Sequence, residues 1–288
     1  MSSIFPENEG WKQYQLGVEA LGHGKYDEAL KYLLKSLEIF HSRKDLRGIA
    51  VTLNSIGSVY YSIKKYEEAL RFFNEALEIF KELNISEDIG ALCNNIGSIH
   101  ESLGNYEEAL KFYMEALKVK RELNELESVA LLLDRIGFIH ENLGNYNEAI
   151  KVYEEALKIC KELNLPPFYI GGCLQGIGDS HRSLGNYSEA LKYYTEALKI
   201  FRDFNIPEPL GICLSNIAGV YTTLGNYDEA INCINEALEI YKGLNCRERM
   251  AICFHNLGYI YQLLGDLEKA SDFYNKAEEI LKELETAQ

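Results

Sequence analysis

Three histidines, His100, His140 and His181, recur at one position of consecutive sequence units, and three cysteines, Cys173, Cys213 and Cys253, recur at another. Imidazole and thiol columns are the residue types that hold zinc or sense pH. Yet the positions equivalent to the histidines elsewhere are Tyr60, Tyr221 and Tyr261, the substitution pattern of a packed aromatic site. Packed helices also lie about 8–10 Å apart, too far for three imidazoles to share an ion at about 2 Å. The cysteines replace Thr52, Leu92 and Leu132 and read as small apolar filler. No phosphate loop, zinc-finger spacing or nucleophile elbow is present, so the sequence points to no catalytic residue, no metal site and no cofactor.

A third column is better suited to recognition. The pairs Tyr14-Gln15, Asn54-Ser55, Asn94-Asn95, Asp134-Arg135, Gln175-Gly176, Ser215-Asn216 and His255-Asn256 each precede a Leu/Ile-Gly or Ile-Ala step. A primary amide offers both donors and an acceptor, so a row of Asn54, Asn94, Asn95, Asn216 and Asn256 can pair with the peptide groups of an extended chain whatever its side chains. The same row could instead hydrate an inner surface or bridge neighbouring helices. Near its centre, Asp134, Arg135, Phe138, Gln175, Asp179 and Arg182 mix both charges with an aromatic, the expected place for partner selectivity; His255 closes the row.

The elements that position these columns follow from a period of about forty residues, marked by Tyr26, Tyr66, Tyr106, Tyr146, Tyr187, Tyr227 and Leu267. After each anchor, small and bulky residues alternate along one helical face, as in Ala69, Phe73 and Ala76 or Ala190, Tyr194 and Ala197. Before each anchor lies Gly or Ala (Gly17, Gly57, Gly97, Gly137, Gly178, Ala218, Gly258), a point of close approach on a first helix. Each unit is therefore an antiparallel helix pair.

Gly104, Gly144, Gly185 and Gly225 are placed to end first helices in the left-handed conformation. Asn105, Asn145, Asn186 and Asn226 are expected to cap the second helices, with a glutamate three residues on completing a capping box. Asn84, Asn124, Asn164, Asn205 and Asn245 are expected to end second helices, and Pro166, Pro167, Pro207 and Pro209 to lie in the loops between units. Lys64-Lys65 in place of Gly-Asn, Ala218 in place of glycine, and Gly265-Asp266-Leu267 leave the local geometry of their units open.

These features resemble the tetratricopeptide repeat over about residues 10 to 285, with units longer than the familiar 34 residues, as in the repeats of kinesin light chain, Pins-type adaptors and peptide-pheromone receptors. The resemblance implies an all-α, right-handed α-solenoid of seven helix-turn-helix units. The expected organisation is an N-terminal tail at 1–9 and a single solenoid at 10–288, with repeats at about 10–49, 50–89, 90–129, 130–170, 171–210, 211–250 and 251–288. It also implies first helices lining a concave face, where asparagines hold a peptide backbone.

Composition bounds the rest. A 47% hydrophobic chain with five prolines supports a continuous helical core. No apolar run is long enough to span a membrane, the N-terminus lacks a signal-peptide pattern, and seven cysteines without metal spacing read as reduced thiols, so a cytoplasmic location is expected. A net charge of −15, spread along every unit, repels nucleic acid and anionic membranes and favours a basic partner, or it merely keeps the helix backs soluble. The function expected is a non-enzymatic scaffold or adaptor binding an extended or helical protein or peptide segment in its groove, as a monomer. A self-associating structural array and a small-peptide receptor module are the alternatives.

Overall fold

The computed structural model describes residues 4–286. These residues form fourteen α-helices and no strand, in two compact units. The first unit, Met1–Leu143, contains α1 (Ile4–Gly22), α2 (Tyr26–Arg43), α3 (Leu46–Ser62), α4 (Tyr66–Glu82), α5 (Ser86–Ser102), α6 (Tyr106–Glu122) and α7 (Leu126–Asn142). The second, Gly144–Gln288, contains α8 (Tyr146–Glu162), α9 (Pro167–Ser183), α10 (Tyr187–Asp203), α11 (Pro207–Leu224), α12 (Tyr227–Gly243), α13 (Arg247–Leu263) and α14 (Leu267–Thr286).

Helix α1 begins within the 1–9 segment expected as a tail, and residues 1–3 lie outside the described residues. First helices start at Leu46, Ser86, Leu126, Pro167, Pro207 and Arg247, slightly ahead of the repeat boundaries assigned by register.

Within each unit a helix packs on the helix before it and the helix after it, and first helices also meet, α1 with α3 and α9 with α11. The small residues set this spacing. A Cβ added at Gly57 would sit 2.6 Å from the Phe73 ring, and one at Gly97 or Gly178 would sit 2.8 or 2.7 Å from Tyr113 or Tyr194. Phe73, Tyr113 and Tyr194 are thus each seated on the bare backbone of the preceding first helix. Where the first helix carries Ala218, the facing residue is Ile234, and both are buried in one cluster with Leu257 and Tyr241.

Both kinds of turn close in the same way. The amide of Asn105 donates to the His100 carbonyl and that of Ile85 to the Phe80 carbonyl, the six-to-one bond of a Schellman motif. The residue ahead of it is left-handed: Gly104 at φ 73°, Asn84 at φ 53°. Lys64 adopts φ 59°, so its unit keeps the turn without the glycine.

Two expectations need correction. Asn105, Asn145, Asn186 and Asn226 precede their helices, but their side chains make no capping hydrogen bond. Asp45, in the extended conformation at ψ 90°, accepts from the Gly48 amide at 2.9 Å, whereas Asn105 at ψ 67° falls short of it. Three of the four prolines do not occupy loops either: Pro167 and Pro207 open α9 and α11, and Pro209 lies in the first turn of α11, whereas Pro166, just ahead of α9, lies in the connection as expected. A ring with fixed φ and no N–H suits a first turn, where the amides have no intrahelical partner.

Candidate functional site

Each second helix turns an apolar stripe inward, which leaves the polar residues of the first helices on the remaining face. In the first unit, Asn94 and Asn95 of α5 and Arg135 of α7 line a hollow of about 380 Å³ with Lys120, Ser128, Leu131 and Leu132. Its cations are neutralised. Lys120 Nζ lies 2.7 Å from Glu125, and Arg135 lies 3.3 Å from Glu101, a carboxylate that also accepts from the Tyr113 hydroxyl at 2.5 Å.

In the second unit, Arg182, Asn216 and Asn256 line a hollow of about 400 Å³ between α11 and α13, with Ser215, Arg249, Ile252 and Tyr259. Asn216 is not free to meet a ligand with both ends of its amide. Its Nδ2 donates to Asp179 Oδ1 at 3.0 Å, bridging α11 to α9. The same oxygen accepts from the Tyr194 hydroxyl at 2.6 Å and lies 3.5 Å from Arg182, while Gln175 also bonds this carboxylate. Burial raises the Asp179 pKa, opposed by these bonds.

The remaining expected residues lie outside both hollows. Asn54 presents a buried Oδ1 with no hydrogen-bond partner among the described residues. Burial pushes Asp134 up to about 6, against Arg135, which lowers it, and with Glu101, which raises it. Phe138 is exposed, and His255 packs against the Tyr274 ring at 5.2 Å. The six residues expected at the centre divide equally between the units, and their partners are found on the element or neighbouring elements of their own unit.

The histidine column has a packing explanation. His100 stacks on Phe112 with centroids 5.7 Å apart and His181 on Tyr193 at 5.5 Å, as Tyr60 does on Phe72 and Tyr261 on Phe273. Burial lowers the His100 pKa. The cysteines are unbridged thiols, and burial raises Cys93 and Cys213 to about 12 and Cys253 to about 11, so all three are protonated at neutral pH.

Arg249, Ile252 and Tyr259 escape a reading confined to the two positions ahead of each small residue. They share a face with Asn256 at helical spacing, which is the signal that finds them. Among the described residues, no helix is long and apolar enough to cross a membrane.

Comparison with known proteins agrees with this architecture. No curated protein sequence matches the chain. Among solved structures, apo RapI is 16% identical with a TM-score of 0.73, covering 96% of this chain and 99% of that one. A Rap protein complexed with Competence and Sporulation Factor is 20% identical with a TM-score of 0.56, covering 97% of this chain and 77% of that one. A Signal Transduction ATPase with Numerous Domains from Pyrococcus horikoshii, carrying a tetratricopeptide repeat sensor, is 19% identical with a TM-score of 0.78, covering 98% of this chain and 44% of that one. The tetratricopeptide repeat model matches residues 13–82, 88–162, 128–203 and 211–283, so this chain belongs to the tetratricopeptide repeat family.

Proposed function

We propose that this chain is a binding scaffold that holds an extended or helical segment of a protein or peptide against its first helices, and carries out no chemistry of its own. The observation that carries this reading is the lining of the two hollows: Asn94 and Asn95 in one and Asn256 in the other bring donor and acceptor groups beside apolar side chains. An entering peptide loses water from its backbone, and an unpaired buried group costs about 1–3 kcal/mol, so a groove must supply such partners. The Rap protein seen in complex with a factor supports a ligand-receiving face over a self-associating array.

The test is a degenerate dodecapeptide array probed with the labelled protein. Retention of discrete sequences, lost on Asn94→Ala with Asn95→Ala and kept on Glu107→Ala with Lys111→Ala, supports the reading. Retention of no peptide, or loss only with the second pair, overturns it.

A further inference from the structure

The outer end of the α9–α10 pair departs from the other repeats at two residues. At the second position of the other first helices after α1 stand Arg47, Glu87, Glu127, Glu208 and Glu248, whereas α9 carries Phe168. The residue that closes α4, α6, α8 and α12 is Leu83, Leu123, Leu163 and Leu244, whereas α10 closes on Phe204. The fold brings the two replacements to one place. A Cβ added at Gly171 would lie 2.3 Å from the Phe201 ring, so the start of α9 touches the end of α10 there. Phe168 is three residues before Gly171 and Phe204 three after Phe201, so each lies about one turn further out, towards the same end of the pair. Phe204 is 62% and Phe168 52% exposed, against 40% and 41% for Leu163 and Leu244, so this end presents two aromatic side chains to solvent.

The surround of this patch is acidic. Asp203 precedes Phe204 and Glu208 opens the next helix; both are exposed, and neither has an ion-pair partner among the described residues. The adjacent cation, Arg202, is held by Glu236 at 2.6 Å. The backbone here has little to offer an extended chain. The Leu165 and Ile206 amides already donate to the Cys160 and Phe201 carbonyls, and Pro166, Pro167, Pro207 and Pro209 have no N–H. A helix satisfies its own peptide groups and asks of its partner only an apolar surface and matching charge.

We infer that Phe168 and Phe204 dock the apolar stripe of a basic amphipathic helix of another protein, whose Lys and Arg flanks meet Asp203 and Glu208. Neither phenylalanine lines a hollow between first helices, so this surface is additional to the one proposed above and does not depend on it. Exposed aromatic side chains on a rigid frame are the residues that supply most of the energy at protein interfaces. A second copy of this chain is a poorer occupant, because a two-fold contact through this patch sets the same acids against one another.

The experiment titrates the full chain, by fluorescence anisotropy, with labelled peptide pools of about five helical turns that share one leucine-rich apolar stripe. One pool has Lys and Arg flanks, one has Glu flanks, and one keeps the Lys and Arg but carries a central proline that breaks the helix. The basic helical pool is expected to bind about tenfold more tightly than either of the others, with a preference over the acidic pool that falls as salt rises. Phe168→Gln with Phe204→Gln is expected to abolish that binding while leaving the melting curve unchanged, since both side chains are exposed. Asp203→Asn with Glu208→Gln is expected to remove most of the preference for basic over acidic flanks. Asn94→Ala with Asn95→Ala, and Asn256→Ala, are expected to change nothing. Equal binding of the helical and proline-broken pools, tighter binding of the acidic pool, or binding kept in the phenylalanine variant overturns the inference. Binding lost only in the asparagine variants overturns it as well and places the peptide in the hollows. A dimer in light scattering that disappears in the phenylalanine variant assigns the patch to a second copy and overturns it, as does binding of no pool.

Discussion

The Tyr194 hydroxyl donates at 2.6 Å to Asp179 Oδ1, the oxygen that also accepts from Asn216 at 3.0 Å, so one carboxylate ties α9 to α10 and α11. This explains why an amide expected to meet a ligand is part of the frame instead. A hydrogen bond to a charged group contributes about 1.5–3 kcal/mol, and Tyr194→Phe is expected to lose about that much at pH 8 by urea denaturation. Because the tyrosine bond lowers the Asp179 pKa, its removal raises that pKa further. The cost therefore shrinks in acid, where the carboxyl is neutral, and shrinks likewise in an Asp179→Asn background. A cost independent of both would show that Tyr194 acts through ring packing alone.

The contact of Gly57 with Phe73 and that of Ala218 with Ile234 are two solutions to one packing problem. A Cβ at Gly57 meets the Phe73 ring at 2.6 Å, so Gly57→Ala is expected to destabilise by roughly 1–3 kcal/mol, the usual cost of overpacking. Adding Phe73→Ile recreates the natural Ala218–Ile234 pair and should return part of that loss, giving a double variant more stable than the sum of the single changes. Gly172, in the interior of α9, has nothing within 4 Å of an added Cβ. Gly172→Ala should therefore raise stability by about 0.5–1 kcal/mol through helix propensity alone. Thermal melts of the four variants check the pattern, and additive single effects would refute the compensation.

The repeat is legible because it is written in residue size. Ala69, Phe73 and Ala76 state the helical face, Gly57 states where that face is met, and Gly104 aligned with Lys64 states the turn. Capping is misleading in the sequence because Asn105 has a capping residue's identity without its backbone angle, and the six-to-one bond from its own amide already closes the turn. At the site, sequence register picks out some residues that line the hollows, such as Asn94 and Asn256, but places others, such as Asn54 and Asp134, outside them, and it does not give their partners. Asn216 and Asn256 occupy equivalent positions, yet only Asn216 has an aspartate on the preceding first helix within reach. Arg249 escapes for another reason: it lies seven residues before Asn256, about two turns along α13, outside the pair of positions that the register compares.

Lys64 holds φ 59° where other first helices end in glycine. A left-handed residue with a Cβ costs about 1–2 kcal/mol relative to one without, and the lysine makes no compensating ion pair among the described residues. Lys64→Gly is expected to stabilise the chain by roughly 1 kcal/mol, less the extra entropy of a glycine in the unfolded chain. Equilibrium denaturation checks this, and a loss of stability would mean that the turn is held by the lysine side chain.

Asp134 is expected to contribute to the pH dependence of the first unit. Burial raises its pKa from 3.8 to about 6, so folding favours the neutral carboxyl. For an acid whose folded pKa lies above its unfolded value, the stabilising contribution is complete below about pH 4 and is lost as pH rises through about 6. At pH 8 the ionised form is carried as a cost. A tenfold change in proton affinity corresponds to about 1.4 kcal/mol, and since Asp134 keeps some contact with water the cost is set at roughly 1–2 kcal/mol. Asp134→Asn should therefore gain about that much at pH 8 and nothing at pH 3.5. The Arg135 guanidinium holds the Asp134 pKa down, so Arg135→Gln is expected to raise it further and to make the wild-type loss between pH 4 and 7 steeper. Urea denaturation across that range, with the Asp134 carboxyl carbon followed by NMR, measures both. A difference between wild type and Asp134→Asn that stays constant with pH would assign the effect to packing rather than to ionisation.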